Sequence, residues 1–240
     1  MTFKDGDFLE VEYSVWDATD NSLVATTDEK KAKEGNIYNE KARYGPSLMV
    51  LGAPGIVKGL DKELRAMNES DTRKFTLKPA EAFGDRSEDL IRVMPLSDFK
   101  ARDMNPYPGM RVTLDDVTAT VKSVNSGRVV VDANHPLAGR DVIYEVRIVK
   151  CLRTDKEKIE GLASDYGAAT TAVKVDNKSV ELTYDGKVKK DADYFINKTS
   201  LVAAVFSYMK NFEKVEVKEE YSRTEIEKQE EEHDHGDDRV

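Results

Sequence analysis

Residues 142–152 read VIYEVRIVKCL, and this stretch decides the fold. Its apolar residues run almost without interruption from Val142 to Leu152, the habit of a strand covered on both faces in the middle of a sheet. A central strand needs partners. DFLEVEYSVW (7–16) spaces Phe8, Val11, Tyr13 and Val15 at roughly period two, which predicts a strand with one buried face, and TRKFTL (72–77) predicts another. The sequence after Gly84 has a different character, so 142–152 reads as the last strand of a first domain, rejoined after an insertion.

Working outward, residues 28–47 are polar, charged and without sustained periodicity, which predicts a long surface excursion with about one helical turn. LMVLGAPGIVKGLDKELRAM (48–67) then gives a strand, a Gly/Pro turn and a short amphipathic helix that buries Leu60, Leu64 and Met67. After Gly84 the chain changes. Residues 87–114 hold three of the seven prolines and three of the seven methionines, and VTATVKSV and RVVVDAN alternate around Asn125-Ser126-Gly127, so a small β-rich unit is expected. Beyond Thr154, strands around TAVKV and VELTY, a turn at Asp185-Gly186, a helix from about Asp191 and the strand KVEVKEEY predict a ββαβ unit. That helix carries Tyr194, Leu201, Val205, Tyr208 and Phe212 on one stripe with Phe206 and Met209 beside it, more apolar surface than short strands cover, which predicts either burial on its own sheet or a homodimer.

Charge and cysteine content exclude several functions. The formal charge is −9, and residues 213–240 hold twelve acidic and five basic residues of the total, so an acidic tail follows a nearly neutral body. Such a chain lacks the concentrated basic face that nucleic acid requires. No apolar run approaches the ~20 residues of a membrane span, and MTFKDGDFLEVEYSV enters strand-like sequence without a signal-peptide pattern, which predicts a cytoplasmic protein. The lone Cys151 lies inside the central strand and reads as an inert thiol.

No nucleophile, acid–base pair, phosphate loop or paired-cysteine metal motif is readable. Two of the three histidines, His233 and His235, lie in the tail, and His135 has no evident Ser, Cys or metal partner. Neither a cofactor nor a metal is expected. A chain so equipped can still catalyse a reaction that breaks no covalent bond, such as rotation about an X–Pro amide.

At this point the motifs carry a resemblance. Gly55-Ile56-Val57-Lys58-Gly59-Leu60, then Ala82-Phe83-Gly84, then Asn134-His135-Pro136-Leu137-Ala138-Gly139 leading into VIYEVRIV resemble, in order, the FKBP-type peptidyl-prolyl isomerases, in particular their SlyD-type branch and its longer archaeal relatives. The resemblance covers residues 1–153. It implies an α+β fold: an antiparallel sheet wrapped on a short helix over 1–85 plus 139–153, with an inserted chaperone-like β-rich domain over 86–138. A C-terminal α+β domain over 154–217 and an acidic, disordered tail over 218–240 complete the expected layout.

The resemblance further implies an apolar isomerase pocket made by Tyr13, Ile56, Val57, Phe83 and Tyr144, with Met49 and Leu60 touching substrate. In the inserted domain, Leu90, Met94 and Phe99, with Ile91, Val93, Met104 and Met110, either offer adaptable apolar surface to unfolded, proline-containing client proteins or form that unit's own core. Two departures stand out: Val24-Ala25 precedes Thr26-Thr27 where the family usually has an aromatic residue and Asp, and Leu60 replaces a Trp found in some members. The implied function is isomerisation and chaperoning of X–Pro bonds in non-native proteins, with a holdase of weakened isomerase activity as the alternative.

Overall fold

A computed structural model describes residues 3–114, 117–168, 170, 172–185 and 193–221. In chain order its elements are β1 (Phe8–Asp17), β2 (Leu23–Thr26), α1 (Glu29–Glu34), β3 (Ser47–Val50), α2 (Lys58–Arg65), β4 (Thr72–Leu77), β5 (Ile91–Pro95), α3 (Leu96–Lys100), β6 (Arg111–Leu114), β7 (Val117–Asn125), β8 (Arg128–Asp132), β9 (Val142–Leu152), α4 (Asp155–Asp165), β10 (Ala172–Asp176), β11 (Ser179–Asp185), α5 (Tyr194–Tyr208) and β12 (Lys214–Glu220). The molecule is mixed α+β, with mainly antiparallel sheets and few helices. No described helix is long and apolar enough to cross a membrane.

The first sheet is organised by β9, which lies antiparallel between β1 and β4. Pairing with β1 runs the whole length, from Phe8 opposite Leu152 to Asp17 opposite Val142, with a bulge between Glu10 and Val11. The other edge of β1 takes β3 along Phe8–Val11 and β2 along Ser14–Trp16. Because side chains alternate along a strand, Val142, Tyr144, Val146 and Ile148 share one face, and all are buried. They meet Leu9, Val11, Val15, Leu60, Leu64 and Met67, so α2 fills the concave side of the sheet. Gly59 permits the close seating, since a Cβ there would lie 2.6 Å from Leu77 Cδ2 and 2.9 Å from the Glu81 carbonyl oxygen.

The chain leaves this sheet after Gly84 and builds a four-stranded antiparallel sheet in the order β5-β8-β7-β6. Asn125 pairs with Arg128, leaving Ser126 (φ 48°) and Gly127 (φ 76°) as a two-residue turn whose left-handed backbone suits the twist of a hairpin. The core of this unit is Phe99, Val112, Ala119, Val121, Val129 and Val131.

In the C-terminal unit β10, β11 and β12 form a separate sheet. Pairing of β11 with β12 is parallel, so it needs a crossover, which α5 supplies. Helix α5 buries Leu201, Ala204 and Val205, with Met209 and Phe212 just beyond it, and leaves Phe195, Ile196 and Phe206 outside. Ahead of this sheet stands α4, closed by a capping box in which Thr154 and Glu157 satisfy each other's backbone N–H groups. The core here includes Phe8, Val50 and Leu152 of the first sheet, so the two units share one apolar cluster. The expected helix start at Asp191, the turn residue Gly186, and the tail with His233, Asp234 and His235 lie outside the described residues.

Candidate active site

A cleft of about 390 Å³ opens between the concave face of the first sheet and the start of α2. Tyr13 comes from β1, Ala25 from β2, Met49 from β3, Leu60 from α2 and Tyr144 from β9, while Ile56, Val57 and Phe83 come from connecting segments. All the pocket residues expected from sequence, namely Tyr13, Met49, Ile56, Val57, Leu60, Phe83 and Tyr144, line this one cleft. It contains no lining Asp, Glu, Lys or Arg, and Ala25 offers only a methyl where a carboxylate was noted as missing.

The polar groups in the cleft are few. Tyr144 stacks on Phe75 at 5.9 Å between ring centres and 10° between planes, and burial pushes its hydroxyl up to about 12. Burial first, and a neighbouring negative charge on Asp165 second, raise the Tyr13 hydroxyl above its ordinary value. Both phenols stay neutral at physiological pH. The N–H groups of Ile56 and Val57 have no hydrogen-bond partner among the described residues. Val57 precedes the first turn of α2, where the helix presents unsatisfied N–H groups. The cleft therefore combines apolar walls with backbone donors, the usual make-up of a small binding site.

His135 is a lining residue whose place the sequence did not reveal. Its ring lies flat on Phe83, at 4.1 Å between centres and 1° between planes, and its Nδ1 accepts the Leu137 N–H at 3.2 Å. Burial lowers its pKa, so the imidazole is neutral at pH 7, with its proton on Nε2.

The two passages between the first sheet and the inserted unit form one wall of the cleft, and a polar clasp fixes them. The Gly139 N–H donates to the Gly84 carbonyl at 2.8 Å. Ser87 N–H donates to Asn134 Oδ1 and Asn134 Nδ2 donates back to the Ser87 carbonyl, each at 2.8 Å. Asp132, 3% exposed, accepts from Asn134 and pairs with Arg86. Burial alone would raise the Asp132 carboxyl, but the bonds from Asn134 and Arg86 outweigh it and hold it below its ordinary value. A second buried carboxylate, Asp17, pairs with Arg140 on the returning passage. Arg86 and Asp132 stand too far apart in sequence for spacing to signal the pair, and Asn134 stood only as a motif letter.

In the inserted unit the expected surface divides. Leu90 is 43% exposed and Val93 62%, and Met94 is partly covered. Phe99 presents no surface to a client. It is 1% exposed because a four-stranded sheet closed by the short α3 needs a large side chain at its centre. Among the described residues no group of His, Cys, Asp or Glu is placed to hold a metal ion.

Comparison with known proteins follows the same lines. The family model described as FKBP-type peptidyl-prolyl cis-trans isomerase matches residues 1–97, and one described as FKBP26, IF domain, matches residues 92–137. A short-type peptidyl-prolyl cis-trans isomerase of Methanocaldococcus jannaschii is 28% identical over 145 residues, covering 60% of this chain and 91% of its own length. The FKBP-type isomerase SlyD of Vibrio cholerae is 25% identical over 143 residues, 58% of this chain and 71% of its own. An FKBP-type 16 kDa isomerase of Escherichia coli is 29% identical over 136 residues, 54% of this chain and 91% of its own.

Proposed function

Since the chain belongs to the FKBP-type peptidyl-prolyl cis-trans isomerase family, we propose that its substrates are X–Pro bonds of unfolded or partly folded proteins and that Tyr13, Ile56, Val57, Phe83 and Tyr144 form the isomerising pocket, with Met49 and Leu60 beneath the substrate. One observation carries this: a single apolar cleft, free of lining charges, collects all of these side chains beside two unpaired backbone donors.

The physics of the reaction fits such a cleft. Rotation about the amide loses its resonance against a barrier of about 18–20 kcal/mol. The twisted amide is less polar than the planar one, so a dry wall disfavours the ground state more than the transition state. The proline ring sits between Phe83 and Tyr144. Phe83 is held by its stack on His135 and Tyr144 by its stack on Phe75, so neither ring must be ordered when substrate arrives. A donor from Ile56 or Val57 takes the client carbonyl and holds the peptide bent.

The unit over about residues 86–138 acts as a client-holding arm in this reading. Exposed Leu90 and Val93 on the passage and first strand, with Met94 beside them, support it. Residues 154–217 are read as a further unit whose helix α5, with Phe195 and Ile196 outside, supports self-association into a homodimer. Protease-coupled turnover of Xaa-Pro peptides, set beside suppression of aggregation of a client whose refolding is not proline-limited, tests the pair of activities. Peptide turnover at the uncatalysed rate with aggregation still suppressed would leave a holdase and overturn the isomerase assignment. Sedimentation of the full chain as a monomer well above cellular concentration would remove the dimer.

A further inference from the structure

The isomerase cleft does not end at Met49 and Ile56. A smaller cleft of about 160 Å³ shares Leu48, Met49, Gly55 and Ile56 with it, and its far side is closed by Leu162, Asp165, Tyr166 and Tyr208 of the C-terminal unit. Helix α4 is pressed onto this edge. A Cβ on Gly161 would lie 2.7 Å from Leu152 Cδ1 and 3.4 Å from Leu48 Cδ1, so glycine allows an approach that a larger residue would block. The last residue of the helix, Asp165, accepts the Leu48 N–H at 3.2 Å, which ties α4 to β3. Its charge is felt at the Tyr13 hydroxyl, inside the isomerase cleft.

Asp165 occupies an electrostatically unfavourable position. The helix dipole favours cations at a C-terminus, yet the last turn of α4 has no basic residue and ends in this carboxylate, while the Leu162, Ala163 and Ser164 carbonyls accept N–H groups of the residues that cap the helix. Asp165 forms no ion pair among the described residues, and neither cleft is lined by a Lys or Arg. Asp165 therefore places a negative charge without an ion-pair partner, reinforced by the helix dipole, at the end of an otherwise apolar groove. The matching ligand has a long apolar stem and a cationic head, which is the build of a lysine or arginine side chain.

We propose that α4 supplies a specificity subsite of the isomerase cleft, in which Asp165 receives a lysine or arginine of the client near the isomerised proline. The proposal rests on the isomerase reading above and adds a preference to it: the C-terminal unit selects sequence. Asn at position 165 keeps an oxygen for the Leu48 N–H and removes only the charge, so Asp165→Asn isolates the electrostatic contribution from folding.

The test uses the full-length protein and two series of short Xaa-Pro peptides that carry Lys, Leu or Glu, in one series before the proline and in the other after it. In one series kcat/KM for the Lys peptide exceeds that for the Glu peptide by about two- to fivefold, the range for a solvent-screened ion pair. Asp165→Asn brings that ratio to about one, Asp165→Lys inverts it, and added salt weakens it in the unmodified protein. Equal turnover of Lys and Glu peptides in both series, or a ratio unchanged in Asp165→Asn, overturns the subsite while leaving the isomerase intact. Turnover of no peptide at all refutes the isomerase reading instead. Calorimetric binding of the same peptides then decides the subsite, and equal affinities for Lys and Glu peptides overturn it.

Discussion

Replacing Phe83 by Ala separates pocket from core. Phe83 is half-buried and its ring contact is the flat stack on His135. Loss of that stack costs about 0.5–1.5 kcal/mol beyond area burial, and with the partial burial lost the fold loses roughly 2 kcal/mol. A domain with a stability of about 5 kcal/mol or more then remains about 99% folded, so unfolding can remove only about 1% of activity. In the proposed pocket the same ring, which lines the cleft, is one of the two walls against which proline packs. Removing a wall worth about 1.5–3 kcal/mol in the transition state lowers kcat/KM roughly ten- to hundredfold. Protease-coupled turnover of a chromogenic Xaa-Pro peptide and urea unfolding of the same preparation give the two numbers side by side. A loss of activity under twofold, or one that tracks the unfolded fraction, would make Phe83 an ordinary packing residue and the pocket assignment wrong.

Four further outcomes are expected. Tyr184 has a buried hydroxyl with no hydrogen-bond partner among the described residues, so Tyr184→Phe raises stability by about 1 kcal/mol, read as a higher urea midpoint. Burial pushes Tyr144, Tyr184 and Tyr194 up to about 12, so their folded forms hold protons that the unfolded chain releases from pH 10 upward; stability is complete below pH 10 and falls as the pH approaches 12, less steeply in Tyr184→Phe when measured by alkaline unfolding. Excising 88–133 and joining the passages by a short turn leaves a folded isomerase, because Gly139 already bonds to Gly84 across the gap and His135 and Leu137 stay in the cleft; peptide turnover persists while aggregation suppression falls. Truncation after Arg153 uncovers Phe8, Val50 and Leu152 and costs about 1.5–3 kcal/mol for each, seen as a lower urea midpoint, while turnover of uncharged peptides persists in the cold.

The first sheet was legible because its strands obey simple periods: TRKFTL and VIYEVRIVKCL are β4 and β9 end to end. Helix α4 was not foreseen, although Thr154 with Glu157 three residues on, followed by Ile159 and Leu162, is the pattern of a capped helix. Its apolar stripe is narrow, only Ile159, Leu162 and Ala163, and leaves a weak helical period. Tyr13, Phe83 and Tyr144 reached the candidate site through their motifs, since alternation alone cannot tell a cleft wall from a core. Phe99 shows the converse, an apolar residue that the sequence leaves open between client surface and core and that the small sheet needs inside. His135, Asp132 and Arg86 were out of reach because their partners lie far away in sequence or on a flat ring, neither of which leaves a periodic trace.

The long ladder between β1 and β9 sets a timetable for synthesis of the chain. Phe8 must wait for Leu152 before β1 and β9 can pair, so while residues 1–141 leave the ribosome β1 can pair only with β2 and β3, and β4 has no neighbour in the sheet. The strands between Ile91 and Asp132, by contrast, pair through near neighbours in sequence and close behind a tight turn. Contacts of short range form faster than contacts of long range, so the segment in the middle of the gene folds first. Once folded, it draws Gly84 and Gly139 together and shortens the loop that β9 must close to reach β1. A chain whose first sheet is completed late carries, within its own sequence, the element that brings that sheet's ends together.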